Sequence, residues 1–325
     1  MKIKKLIPLV ACIMGLSALG GCTNADQKII FSSLWYSHTN SDSEPIHETL
    51  HYDVTFKAAE STSFVNYKLN YKDGRYTTTL VSEGAGENLV YTYTTNLSIV
   101  AQYTLGETSI EKTDTVVSEV KFKAVNFGLQ PISSQKEIQS HTPNGTHVNT
   151  IEDCYQQFHY TVSTTYQNGC AEGKSVVTNL LNENGPDAKE QSFEINQKKY
   201  TYLDNEQLLA ALRCIRNSTT SAKVNVYSPF VNAIQTVSLG FAADASEEFT
   251  LKKDGVDVKD TITYRPVSLQ LDEQNPGATQ TAWIAKGEDI NGVNKYRNVM
   301  LYLKAPLAYG LGDLEYTLVS MDYQA

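Results

Sequence analysis

The sequence predicts a mainly β protein: a large antiparallel sheet, curved or sandwich-like, with one α-helix. Three observations support this fold class. Tyr is abundant, at 20 of 325 residues, and together with frequent Thr and Val it suits a pleated, half-buried surface. Apolar and polar residues alternate in many stretches from residue 46 onward. Asp-Gly and Asn-Gly pairs separate several of these stretches, as expected for turns between antiparallel strands.

The N-terminus has the pattern of a secretory signal. A basic start, MKIKK, precedes an apolar run over residues 6–19 and then Gly-Gly-Cys. The sequence Leu-Gly-Gly-Cys at residues 19–22 resembles the lipobox of bacterial lipoproteins, although Gly20 stands where Ala or Ser is commoner. In that family the signal is cleaved before the cysteine, which then carries acyl chains. The resemblance implies a signal peptide over residues 1–21 and lipidation of Cys22.

The same resemblance implies an extracytoplasmic protein that the lipid anchors to the cell membrane, or to the outer membrane if the host has one. Residues 22–45 would form the tether, and its apolar segment KIIFSSLWYS is expected to dock on the folded domain. Loss of three signal lysines changes the formal net charge from −9 to −12 (−9 − 3). Because so acidic a chain repels nucleic acid and anionic lipid headgroups, we expect no nucleic-acid partner and a membrane contact through the N-terminal lipid.

One short pattern, His47-Glu48-Thr49-Leu50-His51, suggests a reaction. On a helix, H-E-x-x-H brings two imidazoles to one zinc ion in metalloproteases. Here, however, apolar and polar residues alternate from residue 46 to residue 57, and Glu48 is the exception on the apolar side. We therefore predict a strand, in which His47 and His51 lie about 13 Å apart and cannot share an ion. A zinc metalloprotease is the least favoured function, and no cofactor is expected.

The clearest predicted strand is LVYTYTTNLSIVAQYTL, residues 89–105. Its alternation places Tyr91, Tyr93, Leu97 and Ile99 on one apolar face. Two interpretations of that face stay open. The four side chains could face an apolar ligand in a cavity, or they could pack in an ordinary core, which is the commoner fate of such a stripe.

Two further segments bear on the organisation of the chain. Asp73-Gly74 predicts a tight hairpin between two strands. The segment 128–150 is rich in Ser, Gln, Asn and Thr and contains two prolines, so we expect a long loop or a domain boundary there. The region 46–325 is accordingly either one large β-rich domain or two domains divided near 128–150.

The cysteines leave two readings open. Cys154 and Cys170 flank a predicted hairpin, which permits a disulfide between them in an oxidising compartment. Partly buried free thiols are an equal alternative. The remaining Cys214 falls on the predicted helix and is expected to be buried.

The predicted helix covers about residues 204–216. Asp204 followed by Gln207 is a capping-box arrangement, and the leucines that follow make one apolar stripe. A single helix among many strands is best explained as a plug or lid on the curved sheet.

These features favour a lipid-anchored extracytoplasmic binding or interaction protein, and the sequence names no ligand. Its outer surface could bind a protein or a cell-wall polymer. Alternatively, the curved sheet could enclose an apolar ligand, an architecture that looks like the half-open barrels of lipoprotein carriers at the level of fold alone. A cavity of several hundred Å³ would support the carrier, and a filled core would oppose it.

Overall fold

A computed structural model of the chain describes residues 29, 31, 46–59, 65–125, 128–182, 184–196, 200–215, 220–271, 279–286 and 295–323. The predicted signal peptide, the lipidation at Cys22 and most of the predicted tether lie outside the described residues. The described strands are β1 (His47–Ala58), β2 (Lys68–Glu83), β3 (Val90–Leu105), β4 (Thr108–Val125), β5 (Gly128–Pro143), β6 (Tyr155–Gln167), β7 (Glu172–Asn179), β8 (Asp187–Glu194), β9 (Thr201–Tyr202), β10 (Ser221–Ser228), β11 (Ala233–Phe241), β12 (Ala245–Lys253), β13 (Val256–Gln270), β14 (Gln280–Ala285), β15 (Met300–Pro306) and β16 (Gly312–Tyr323).

The strands form one mainly antiparallel, barrel-like sheet, as the sequence predicts. Their order is β8-β7-β6-β5-β4-β3-β2-β1-β16-β15-β14-β13-β11-β10-β9, and β12 pairs with β13 and with the end of β16. Strands β1 to β8 thus follow one another as a meander on one side of the path. The first and last strands, β1 and β16, pair in its middle and join this meander to the second half. Within the described residues no helix is long and apolar enough to cross a membrane.

Strand β3 has the predicted length and the predicted inward face. It pairs along its whole length with β4 and nearly as far with β2, so its inward side chains reach the middle of the core. The principal core cluster contains Tyr91, Tyr93, Leu97 and Ile99, all of them buried. Period-two alternation was sufficient to predict this face because the residues on one side of the strand are buried and most of those on the other side are partly accessible to solvent.

The prediction of a hairpin at Asp73-Gly74 is wrong. The chain continues through these residues as one strand, β2, and the register against β3 shifts between Lys72 and Arg75. Asp73 adopts a left-handed conformation with φ 54°, which identifies a β-bulge in place of a turn. Gly74 is needed because a Cβ there would lie 2.5 Å from the Val54 carbonyl oxygen of β1. The Asp-Gly pair therefore bends a long strand instead of reversing it.

The long loop predicted over 128–150 is wrong for most of that segment, and the choice between one domain and two stays a prediction. Residues 128–143 form β5, which pairs with β4 on one side and with β6 on the other. Its polar residues suit a strand because several of them face buried partners, among them Ser134 and His141. Only residues 144–150 form a loop.

The ends of the sheet overlap instead of pairing. Tyr202 and Tyr227 lie on the face of β9 and β10 opposite to Val224 and Val226, which belong to the principal core. These two tyrosines pack against β6 and β8 in a second cluster, which we call the overlap cluster: Tyr166, Cys170, Phe193, Ile195, Tyr202 and Tyr227. In it Phe193 stacks on Tyr227 with ring centroids 3.7 Å apart. Strands β6–β8 therefore overlap the outer face of β9 and β10, and the two ends of the sheet pack on each other through side chains.

The predicted helix is shorter than expected. Residues Asn205–Gln207 form a 3₁₀ turn and Leu208–Leu212 form the α-helix α1, of five residues. The capping box is confirmed: the Glu206 N–H donates to the Asp204 carboxylate and the Asp204 N–H donates to the Gln207 side chain. We call residues 203–215 the plug segment. It packs in the principal core against the inner wall of the barrel, as the sequence predicts for a helix on a curved sheet.

Candidate functional site

The H-E-x-x-H pattern lies in strand β1, which confirms the strand prediction and makes the zinc metalloprotease interpretation wrong. Both His47 and His51 are exposed on the outer face, and the His51 ring contacts the Thr77 hydroxyl at 3.1 Å. Residues four apart in a strand are separated by about 13 Å, so the two rings do not meet at one ion. No group of three or more His, Cys, Asp or Glu side chains in the described residues could hold a metal ion.

The glutamate of this pattern faces inward and forms a buried ion pair. Glu48 accepts two hydrogen bonds from the Arg213 guanidinium, at 2.5 and 2.8 Å, and the two side chains are only 2% and 3% exposed. Burial lowers the pKa of Arg213, but the ion pair with Glu48 outweighs burial and the net pKa is raised. Glu48, the one polar residue on the apolar side of β1, therefore links the barrel wall to the plug segment.

Arg213 also links the plug segment to a strained turn. It donates to the Arg297 carbonyl oxygen at 2.8 Å. Arg297 and Asn298 both have positive φ, 46° and 53°, and the Val299 N–H closes the turn onto Tyr296. A left-handed conformation costs an Arg residue about 1–2 kcal/mol, so the surrounding contacts must maintain it.

The other end of the plug segment has its own polar contacts. The buried Asp204 carboxylate accepts hydrogen bonds from the Ser134 hydroxyl at 2.7 Å and the Tyr166 hydroxyl at 2.5 Å. Burial raises the pKa of Asp204, and the nearby Glu206 adds to this effect. Glu206 itself pairs with Lys136 of β5 at 3.0 Å. The plug segment is thus held by polar contacts at both ends and by leucines between them.

A small cavity separates the plug segment from the barrel wall. Its volume is about 30 Å³, room for one or two water molecules and far below the several hundred Å³ of a usual ligand pocket. The wall contributes Tyr76, Tyr93, Thr95, Leu97, Val116 and Lys136 to its lining, and the plug segment contributes Asn205, Glu206 and Leu209.

Two of the four residues predicted to face a ligand line this cavity, and the other two do not. Tyr93 and Leu97 lie at its wall. Tyr91 instead stacks on Phe122, with ring centroids 5.4 Å apart, and Ile99 is fully buried beside Gly74. Burial raises the pKa of Tyr93 to about 12, and the charge of Arg213 opposes that rise. The stripe is therefore mostly packed core, with an edge that reaches the cavity.

A second buried polar group lies between β4 and β5. The Asp114 carboxylate accepts from the His141 backbone N–H at 2.8 Å and contacts His141 Nδ1 at 2.9 Å. Tyr103 donates its hydroxyl hydrogen to the His141 carbonyl. Burial raises the pKa of Asp114, and the hydrogen bonds from His141 partly oppose that rise. Within the described residues, Asp114 Oδ2 and Ser140 Oγ have no hydrogen-bond partner.

Of the two readings of Cys154 and Cys170, the structure has buried thiols and not the possible disulfide. Neither forms a disulfide: Cys154 is buried in the principal core and Cys170 in the overlap cluster. Cys214 is also buried and outside any disulfide. The Asn168-Gly169 turn does reverse the chain, as predicted, but Cys170 extends it with φ 67° and turns into the overlap cluster. Sequence spacing could not show that the two thiols belong to different clusters.

The residues that sequence reasoning missed are those whose partners are remote in the chain. Glu48 and Arg213 are 165 residues apart, and Ser134 and Asp204 are 70 apart. The available signal was Glu48 itself, a charged residue on the apolar side of a strand. A buried charge requires a partner of opposite charge, but the sequence does not say which one.

Comparison with known proteins identifies no family. No protein-family model matches the chain, and no curated protein matches it. Among solved structures, the chain is similar to a β-barrel-like protein of the domain of unknown function DUF1849 from Brucella abortus. The TM-score is 0.43 with 10% sequence identity, over 86% of this chain and 98% of that chain.

Proposed function

We propose that the protein is a lipid-anchored, extracytoplasmic binding protein. The observation that carries the proposal is the N-terminal pattern: a basic start, a short apolar run and Leu-Gly-Gly-Cys ending at Cys22. The contacts of the first described residues are consistent with an anchor close to the domain. Ile29 and Phe31 are buried, the Ile29 N–H donates to the Thr201 hydroxyl at 2.9 Å, and Phe31 bridges to Ile215. Seven residues after the predicted anchor, the chain already belongs to the domain.

The anchor is tested by metabolic labelling in a bacterial host with an alkyne analogue of palmitate. We expect the wild-type protein to carry the label and to fractionate with membranes. The Cys22→Ser variant should lose the label and accumulate as the longer precursor. A wild-type protein without label, or a labelled Cys22→Ser variant, would contradict lipidation at this residue.

A second candidate function is carriage of an apolar ligand inside the barrel, and the cavity beside Tyr93 and Leu97 favours it. The cavity is too small for such a ligand in the described conformation. Carriage therefore requires the plug segment to move, so that the ligand replaces α1 leucines such as Leu209 against the wall. The candidate is weaker than the first because the remaining residues of the stripe, Tyr91 and Ile99, are packed away from the cavity.

Locking the plug segment tests carriage. Leu97→Cys combined with Leu209→Cys places one thiol on the wall and one on the plug segment at the same cavity. Mass spectrometry identifies the oxidised, cross-linked protein, and a fluorescent fatty acid reports binding. A carrier should bind it in the reduced state and lose at least about tenfold in affinity when oxidised, since about 1.4 kcal/mol corresponds to tenfold. Leu97→Cys alone is the matched control. Equal binding in both redox states, or no binding by the wild type, would exclude carriage.

A further inference from the structure

The predicted tether is short compared with the domain. From Cys22 to Ile29 the chain can span at most about 24 Å, at 3.3–3.6 Å per residue. A compact domain of this size has a radius of gyration of about 19 Å and hence a diameter of roughly 50 Å. A tether this short keeps the domain within about 24 Å of the bilayer, close enough for one of its faces to rest against the lipid. The face that does so has to lie within reach of Ile29.

An uncharged apolar tip lies within that reach. Ile29 contacts Thr201, which pairs with Val224 of β10. The turn after β10 lies about 20 Å further along that strand. Val231 in this turn and Ile234 at the start of β11 are exposed, at 39% and 36%. In an acidic chain, residues 224–243 contain no charged side chain at all.

A neighbouring turn enlarges the same apolar surface. Phe230, beside Val231, packs its ring against Tyr160 of β6, with centroids 5.6 Å apart. Tyr160 pairs with Asn179 at the end of β7, and Leu181, two residues further on, is 43% exposed. Residues 175–182 are uncharged as well. Three of the exposed large apolar side chains thus lie around one edge of the overlap between the sheet ends.

We infer that this tip, Pro229–Ile234 together with Leu181, rests on the lipid bilayer beside the acyl anchor. The inference rests on the proposed lipidation of Cys22, because the short tether is what brings the tip to the membrane. The bilayer suits this surface better than an anionic or cationic partner because the residues of the tip are uncharged and largely apolar, and the exposed Asp187, which pairs with Asn179, lies at its border. Apolar side chains enter the boundary between headgroups and acyl chains by about 5–10 Å.

The buried native thiols allow a direct test. Val231→Cys introduces an accessible thiol into the lipidated protein, and the environment-sensitive dye NBD is attached to it. The labelled protein is added to preformed phosphatidylcholine vesicles. Val117→Cys is the matched control, since Val117 is 43% exposed on the outer face of β4 beside the charged Glu137. Dithionite, which bleaches NBD only where water reaches it, gives the readout.

We expect bleaching at residue 231 to slow at least about fivefold on vesicles, since the tip enters the headgroup boundary, while bleaching at residue 117 stays fast. Vesicle-bound protein with fast bleaching at both positions overturns the inference and leaves the anchor intact. Protein that fails to float with vesicles overturns the anchor, and the inference with it. Protection at residue 231 without vesicles would show that a second copy of the chain covers the tip, which also overturns the inference.

Discussion

Glu48 shows how a single buried charge can define the role of a strand. The other core-facing residues of β1, such as Leu50 and Val54, would pack equally well in many positions. Glu48 requires a cation, and Arg213 supplies it through a bidentate pair of hydrogen bonds. Buried pairs of this kind contribute little net stability, but removing one partner is costly because the other charge stays buried. The pair therefore determines where the plug segment sits more than it stabilises the fold.

We predict that Glu48→Gln lowers the free energy of unfolding by about 3–5 kcal/mol, because it leaves the Arg213 charge buried without a counter-charge. Glu48→Gln combined with Arg213→Met should recover much of that loss. Urea unfolding of the three proteins measures the effect. As a control, removing the exposed pair between Lys72 and Glu111 should cost at most about 1 kcal/mol. Equal small losses for the buried and exposed pairs would contradict the buried geometry.

The three cysteines allow a second prediction at this scale. Burial raises the pKa of Cys170 to about 12, and it also raises the pKa values of Cys154 and Cys214. The thiolate is the reactive form, so the folded protein should react with Ellman's reagent very slowly. In denaturant, three thiols should react in a chain whose Cys22 is acylated. Detection of a single thiol in denaturant would show that a disulfide had formed.

At the scale of elements, the plug segment depends on some contacts between residues close in the sequence and on others between residues far apart. Asp204 and Gln207 form the capping box locally, which is why sequence reasoning found the start of the helix. The end of the helix was overestimated because α1 is followed by tertiary contacts of Arg213 that do not require helical geometry. Asp204 also accepts from Ser134 and Tyr166, and neither contact has a local sequence signature.

Asp204 leads to a prediction about pH. Its pKa is raised in the folded state, so the native protein binds this proton more tightly than the unfolded chain does. The stability that Asp204 contributes is therefore fully present below its unfolded pKa of about 3.9 and is lost as pH rises through its higher folded pKa. The stability of the wild type relative to Asp204→Asn should fall as pH increases across that window. Urea midpoints at several pH values measure it, and a rising difference would contradict the assignment.

At the scale of the whole molecule, the sheet closes by overlap of its ends. The other neighbouring strands of the path are joined by hydrogen-bonded ladders, whereas β8 meets β10 through side chains such as Phe193 and Tyr227. The principal core and the overlap cluster are separate. Because a small cluster with few buried groups opens more easily than a large one, the overlap is expected to be the least stable part of the described fold.

Gly173 tests this closure. A Cβ at that position would lie 2.1 Å from the Phe193 ring, so Gly173→Ala must displace the ring from Tyr227. We expect a loss of about 1–3 kcal/mol and faster hydrogen exchange in β7 and β8 than in β3 and β4. Combining Gly173→Ala with Phe193→Ala should remove most of the penalty that the glycine change causes alone. An unchanged exchange pattern would show that the Phe193 ring does not lie against Gly173.

The sequence by itself determined the mainly β class, the strand at residues 46–57, the long inward-facing strand β3 and the start of the plug helix. Each of these depends on local periodicity or capping, which a single segment contains. Tertiary structure decided the rest: that Asp73-Gly74 is a bulge, that 128–143 is a strand, that the cysteines stay apart, and that Arg213 pairs with Glu48. Those outcomes depend on contacts between residues far apart in the chain. No local pattern specifies which distant strand or charge will fill a given place in the core.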